Sequence, residues 1–253
     1  MRKIAIVSGK GGVGKTLVAL NLTTALKEFG RDVILVDGDL RNANIGVYLG
    51  ALNLPFTLHD ALKYKKHITE IVYRHGSGLK IIPGSISFEN SVEVEPDRLK
   101  EVIDGLEGKC EAVIIDSPAG ISEESLAAID AADELILVTN PEMPAVTDAL
   151  KTIKFAEAAG KNVIGIILNR VENQRHEIHA SHIQSILGKP IIASIPEDHH
   201  MKRSAHLKHP VVYSHPNSHV AALFKDLAAK LIGQEYKSRL TKEDIKKVFA
   251  NFG

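Results

Sequence analysis

Three short segments of the chain carry residue types suited to chemistry on a phosphate. Gly9-Lys10-Gly11-Gly12-Val13-Gly14-Lys15-Thr16 fits the pattern G-x-x-x-x-G-K-[ST], directly after an apolar run and directly before a helical one. Glycines let successive backbone N–H groups curl around phosphate oxygens, and the following helix N-terminus adds a favourable field. Lys15 is then expected to reach the terminal phosphates, and the Thr16 hydroxyl to ligate Mg²⁺. A second apolar run ends in Asp37-Gly38-Asp39-Leu40-Arg41-Asn42-Ala43-Asn44. Carboxylates at the carboxyl end of a strand beside such a loop point into the crevice where open α/β sheets bind ligands. Either aspartate could instead cap the turn that follows. The third segment, Ile114-Ile115-Asp116-Ser117-Pro118-Ala119-Gly120, is an apolar strand ending in an acid. That acid, Asp116, is placed to hold Mg²⁺, usually through water. The cofactors these segments imply are ATP and Mg²⁺.

Short β-rich runs alternating with longer amphipathic stretches are what must position these residues. The expected strands are 3–7, 33–37, 79–82, 111–116, 134–139, 163–168 and 190–195. Several are continuous apolar runs, as strands buried on both faces require. Val18, Ala19, Leu22, Ala25 and Leu26 recur at helical spacing between the first two strands, and Gly30 is placed to end that helix. The fold class expected is α/β, a mostly parallel sheet with helices on both faces in three layers. One domain is expected over 1–236, followed by a short amphipathic tail over 237–253.

Bulk composition narrows the classes of partner. Thirty-one basic and 31 acidic residues cancel in a chain of 253, so no global attraction to nucleic acid is expected and no sequence-specific nucleic-acid partner. Cys110 is the single cysteine, which excludes an internal disulfide and a cysteine-rich metal centre within one chain. It stands at the entry to an apolar run, where a half-buried small residue is expected. No run approaches the ~20 apolar residues needed to span a bilayer. Met1-Arg2-Lys3 leads straight into a strand instead of a cleavable signal, so a cytoplasmic protein is expected.

Lys10 gives the glycine loop a second lysine near its start. The string K-G-G-V-G-K-T resembles the deviant Walker A box of the MinD/ParA family (SIMIBI-class P-loop proteins), whose members form a homodimer face to face over two ATP molecules. The resemblance runs through roughly residues 2–232. It implies that Lys10 reaches across the interface to the partner's phosphates, much as an arginine finger does. It also implies that Gly11, Gly12, Val13, Gly14, Lys15, Thr16 and Leu17 enclose the phosphates. Asp39 would orient or deprotonate the attacking water, Asp37 would help hold the magnesium environment, and the Gly120 N–H would sense the γ-phosphate. On the base side, Asn169 and Arg170 match the family's strand-end N-R, and Pro196, Glu197 and Asp198 match the loop that packs on the adenine ring. From spacing alone those base-side residues could equally be turn formers.

Within the family, the arginine and asparagines after Asp39 and the D-S-P-A-G of Asp116 to Gly120 are similar to MinD-type proteins. The D-x-D-P-Q pattern usual in ParA-type partition ATPases is absent. The implied activity is a Mg²⁺-dependent ATP hydrolase that dimerises on ATP and dissociates with ADP. The implied role is a spatial switch in cell division, such as septum site determination, answering to a regulatory protein partner. A soluble regulatory or cargo- and metal-cofactor-loading ATPase of the same family is the alternative.

Two features lie outside the motifs. In the tail, Thr241 and Asp244 suggest a helix start, and Ile245, Val248, Phe249 and Phe252 then form one apolar stripe with Lys242, Lys246 and Lys247 off it. Such a stripe suits peripheral attachment to the inner face of the cell membrane, or docking on the protein's own core. Nine of the 12 histidines lie beyond residue 175, with His176, His179 and His182 expected along one polar helix face.

Overall fold

The computed structural model describes residues 1–87, 95–172 and 174–236. The tail stripe Ile245, Val248, Phe249 and Phe252 lies outside the described residues.

All seven expected strands form, as β1 (Arg2–Ser8), β2 (Val33–Asp37), β4 (Lys80–Ile82), β5 (Ala112–Ala119), β6 (Glu134–Thr139), β7 (Asn162–Val171) and β8 (Ile191–Pro196). A two-residue strand, β3 (Tyr73–Arg74), was not anticipated and pairs antiparallel to β4. The sheet has eight strands in the order β3-β4-β2-β5-β1-β6-β7-β8, and every other pairing in it is parallel. This order sets the carboxyl ends of β2, β5 and β1 side by side, which collects the three phosphate segments at one rim.

Strand side chains alternate between two cores. Ile4, Ile6, Leu35, Ile114 and Ile136 point to one face, where α1 (Lys15–Glu28) packs with α10 (His219–Leu231) and with Val211 and Val212 of α9 (Val211–Ser214). Ala5, Val7, Val36, Ile115 and Leu137 point to the other, beneath α4 (Leu99–Asp104), α5 (Glu123–Ala131) and α6 (Met143–Ala158). Because β1, β2, β5 and β6 are covered on both faces, their sequences carry apolar residues without alternation. Short helices α2 (Ile45–Leu49) and α3 (Leu58–Leu62) follow β2, and α7 (Ala180–Leu187) and α8 (His199–His206) flank β8.

Gly30 ends α1 as expected: it adopts φ 76°, and the Arg31 N–H turns back to the Leu26 carbonyl at 3.2 Å. Cys110 is half-buried, with Sγ 3.4 Å from the Met1 sulfur. The histidine trio departs from expectation. α7 begins only at Ala180, and His179 is its N-cap, accepting from the Ser181 N–H through Nδ1. His176 therefore precedes the helix, and the three rings do not share a helical face. No helix among the described residues is long and apolar enough to cross a membrane.

Candidate functional site

The glycine loop passes from β1 to α1 through Gly12 at φ 81° and Gly14 at φ 91°, a left-handed region that glycine enters without cost. Gly14 is also tightly packed. A Cβ there would lie 2.3 Å from Asn169 Nδ2. That same nitrogen donates to the Val13 carbonyl at 2.7 Å. Asn169, buried at the end of β7, thus braces the loop from behind. Gly9 meets a different wall: a Cβ on it would fall 2.2 Å from the Asp148 carbonyl carbon of α6.

Beneath the loop, Lys15 Nζ lies 2.5 Å from Asp116 Oδ1, and both side chains are buried. Asp116 stands opposite Asp37 in the β2–β5 register, so two acids share one buried space with a single lysine. Asp37 Oδ2 accepts from the backbone N–H groups of Asn44 and Ile45 at 3.0 Å each, which folds the chain after β2 back over the strand end. Asp37 Oδ1 and Asp116 Oδ2 are buried with no hydrogen-bond partner. Burial, then the neighbouring Asp116 carboxylate, push the Asp37 carboxyl up to about 8. Two orphaned carboxylate oxygens in one pocket are an arrangement that a hard divalent cation satisfies, so the residues present fit Mg²⁺.

Asp39 is less buried. Its Oδ1 accepts from the Asn42 N–H at 3.0 Å, and burial raises its pKa, opposed by that bond and by Lys15. Gly120, at φ 76°, donates its N–H to the Ser8 carbonyl at 2.8 Å, which ties the segment after Asp116 to the base of the loop. Lys10 is exposed, with no ion pair among the described residues. The two lysines of the loop therefore sit in opposite environments.

A cleft of about 550 Å³ opens over these residues. Gly11 to Leu17, Asp39 and Arg170 line it, whereas Asp37 and Asp116 are buried and Lys10 is exposed, and none of these three is among its lining residues. Pro196, Glu197 and Asp198 are set back. Pro196 pairs with Val171 in the sheet, and the Glu197 N–H donates to the Val171 carbonyl at 3.1 Å. The Glu197 carboxylate sits between Arg170 at 3.8 Å and Lys202 at 2.9 Å. Asp198 caps α8 by accepting from the His200 N–H at 2.7 Å.

The cleft also contains residues that carried no expected role. Arg41, Tyr48 and Glu124 line it. Glu124 of α5 is buried, and its Oε1 lies 2.6 Å from Arg41 Nε. Burial raises the Glu124 pKa against the pull of Arg41. Arg41 stands in a motif that could have drawn attention to it. Glu124, four residues past Gly120 in the first turn of a helix, carries no local signal.

Comparison with known proteins agrees with this geometry. A ParA family model described as "NUBPL iron-transfer P-loop NTPase" matches residues 1–232. An "Uncharacterized ATP-binding protein" of Methanocaldococcus jannaschii is 41% identical over 240 residues, covering 95% of this chain and 91% of its own. The septum site-determining protein MinD of Pyrococcus horikoshii, solved with Mg-ADP, superposes with a TM-score of 0.87 at 38% identity, covering 91% of this chain and 95% of its own. A chain of the MinC:MinD cell division complex of Aquifex aeolicus reaches 0.83 at 26% identity, covering 94% and 98%. This chain belongs to the ParA family of P-loop NTPases, which use ATP and Mg²⁺, and within that family it is similar to the MinD ATPases.

Proposed function

We propose that the protein is a Mg²⁺-dependent ATPase that dimerises on ATP and separates after hydrolysis, a MinD-like switch. The observation that carries this reading is the contrast between its two loop lysines: Lys15 is buried against Asp116, and Lys10 is exposed, with no ion pair among the described residues. A cation left in solvent beside an anion-binding loop is well placed to serve a phosphate brought from outside its own site.

In this reading the backbone from Gly11 to Leu17 cradles the phosphates, and Lys15 turns from Asp116 toward them. Thr16, Asp37 and Asp116 hold Mg²⁺, which when bound neutralises charge on the phosphate oxygens. Asp39 orients the attacking water, with its proton passing to that carboxylate. Gly120 exchanges its bond to Ser8 for one to the γ-phosphate. Asn169 braces the loop while offering its remaining edge to adenine, and Arg170 with Pro196, Glu197 and Asp198 forms the wall on the base side.

The Lys10→Ala variant tests the dimer. Monomers should still bind Mg·ATP, but ATP-driven dimerisation and hydrolysis should fail; normal dimerisation by light scattering with ATP would refute the reading. A place in cell division, a regulatory protein partner and a cytoplasmic protein peripheral to the membrane through the 237–253 tail complete the proposal. Their support is the likeness to MinD proteins, one of them solved with MinC. Sedimentation with anionic liposomes should be greater in ATP than in ADP and lost in Phe249→Glu; equal sedimentation in both nucleotides would remove the membrane from the reading. The alternative, loading of a metal cargo, is favoured by the iron-transfer description of the matching family model. A single cysteine per chain weighs against a cysteine-held cluster.

A further inference from the structure

Behind the wall on the base side of the nucleotide cleft, one group of ligand-type side chains converges at the start of α8. Asp198, His199 and His200 each present a donor atom, and all three atoms lie within 4.8 Å of one another. Asp198 Oδ1 is 2.9 Å from His200 Nδ1 and 3.8 Å from His199 Nδ1. The two rings stand with centroids 3.9 Å apart, and His215 brings a third ring to 5.0 Å from that of His200. Its Nδ1 is 3.0 Å from the Ser214 hydroxyl, so Nε2 is the atom it has left to present.

We propose that Asp198, His199, His200 and His215 form a binding site for one divalent transition-metal ion of the zinc type, distinct from the Mg²⁺ site. Imidazole nitrogens with one carboxylate suit zinc, cobalt, nickel or copper, whereas Mg²⁺ demands oxygens in octahedral array. With metal–ligand bonds of about 2.0–2.1 Å in a tetrahedron, adjacent donor atoms stand roughly 3.3 Å apart. The separations of 2.9 Å and 3.8 Å to Asp198 bracket that value, so small side-chain rotations suffice. The ion takes the place of the hydrogen bond between Asp198 and His200, the neutral His200 ring binding through Nδ1 and keeping its one proton on Nε2.

Opposing forces are present and bounded. The N-terminal end of α8 disfavours a cation, but Asp198 already answers that field by capping the helix. Lys202 is drawn away by Glu197 at 2.9 Å. The consequence for the fold is a clamp joining the β8–α8 loop to the segment after α9.

Calorimetric titration of the full metal-free chain with zinc chloride, without nucleotide, tests the site independently of the ATPase reading. Wild type should bind one zinc per chain, give a tetrahedral visible spectrum with cobalt, and melt at a higher temperature with zinc. The His199→Asn/His200→Asn variant keeps the Asp198 cap, and it should lose affinity by at least about tenfold and show no zinc-induced rise in melting temperature. His215→Asn serves as the second variant if the double one folds poorly, with a smaller loss in the same direction. Failure of wild type to bind would overturn the proposal. So would unchanged affinity in both variants, which would locate the ion elsewhere, for instance at His176, His179 and His182.

Discussion

The two ends of the nucleotide cleft are built on different principles. At the phosphate end, Lys15 at the start of α1 and Asp37 and Asp116 on central strands are buried together, and Lys15 is paired with Asp116 before any ligand arrives. At the base end, Arg170, Glu197 and Lys202 are solvent-exposed or half-buried, lie near the sheet edge, and form ion pairs of the surface kind. A buried pair loses far more than a surface pair when one member is removed. Binding energy should therefore be concentrated at the phosphates, with the base contributing selection at low cost.

Lys15→Ala should produce the largest effect. It removes the one cation from a pocket with two buried acids, and Mg·ATP affinity should fall at least about 100-fold, or about 2.7 kcal/mol. Breaking one side of a buried pair costs about 3–5 kcal/mol, part of which proton uptake by the acids relieves, so the nucleotide-free protein should also melt earlier. Calorimetry with near-wild-type affinity would erase the contrast between the two ends. Gly14→Ala should come next. Its left-handed φ and the 2.3 Å approach to Asn169 Nδ2 should destabilise the fold by about 1–3 kcal/mol, read by denaturant melts. A variant as stable as wild type would show that the brace behind the loop is loose.

Asp37 gives the comparison a pH axis. A carboxyl at about 8 when folded and near 3.8 when unfolded binds a proton more tightly in the native state. Its contribution is fully present below about pH 4 and is lost as pH rises through about 8. Between those limits the Mg²⁺-free protein should lose stability with rising pH, and Asp37→Asn should flatten that slope. The Asn side chain keeps an oxygen for Asn44 and Ile45 while offering its N–H to Asp116. Identical slopes in both proteins would show that the two acids are not coupled.

The unequal construction also governs what the sequence made legible. Gly9 to Thr16 and Asp116 announce themselves because phosphate chemistry fixes residue types at fixed local spacing. Continuous apolar runs marked the central strands for the same reason, being buried on both faces. Asn169 was legible as a strand-end amide, but its bond to the Val13 carbonyl joins residues 156 apart and has no sequence signature. Glu124 was invisible because only the fold brings it to Arg41. β3 was missed because two residues cannot show a period. The histidine trio misled because an imidazole Nδ1 can cap a helix, so His179 ends outside the helix that spacing would have run through it.

The smallest effect should come from Glu197→Gln. Glu197 holds Lys202 at 2.9 Å and Arg170 at 3.8 Å, and the side chains are 29%, 74% and 50% exposed respectively. Exposed pairs contribute about 0–1 kcal/mol, because water solvates the separated charges nearly as well and two long side chains lose freedom in meeting. The carboxamide is nearly isosteric and leaves the Glu197 N–H on the Val171 carbonyl, so the loop keeps its place in the sheet. Stability should change by less than about 1 kcal/mol, and Mg·ATP affinity by less than about fivefold, with raised salt shrinking both differences. Arg170, released from its partner, still lines the cleft and stays free to meet the ligand. A loss approaching that of Lys15→Ala would mean that Glu197 and Arg170 work as a preorganised unit. The base end would then be an anchor in its own right, and the asymmetry between the two ends would fail.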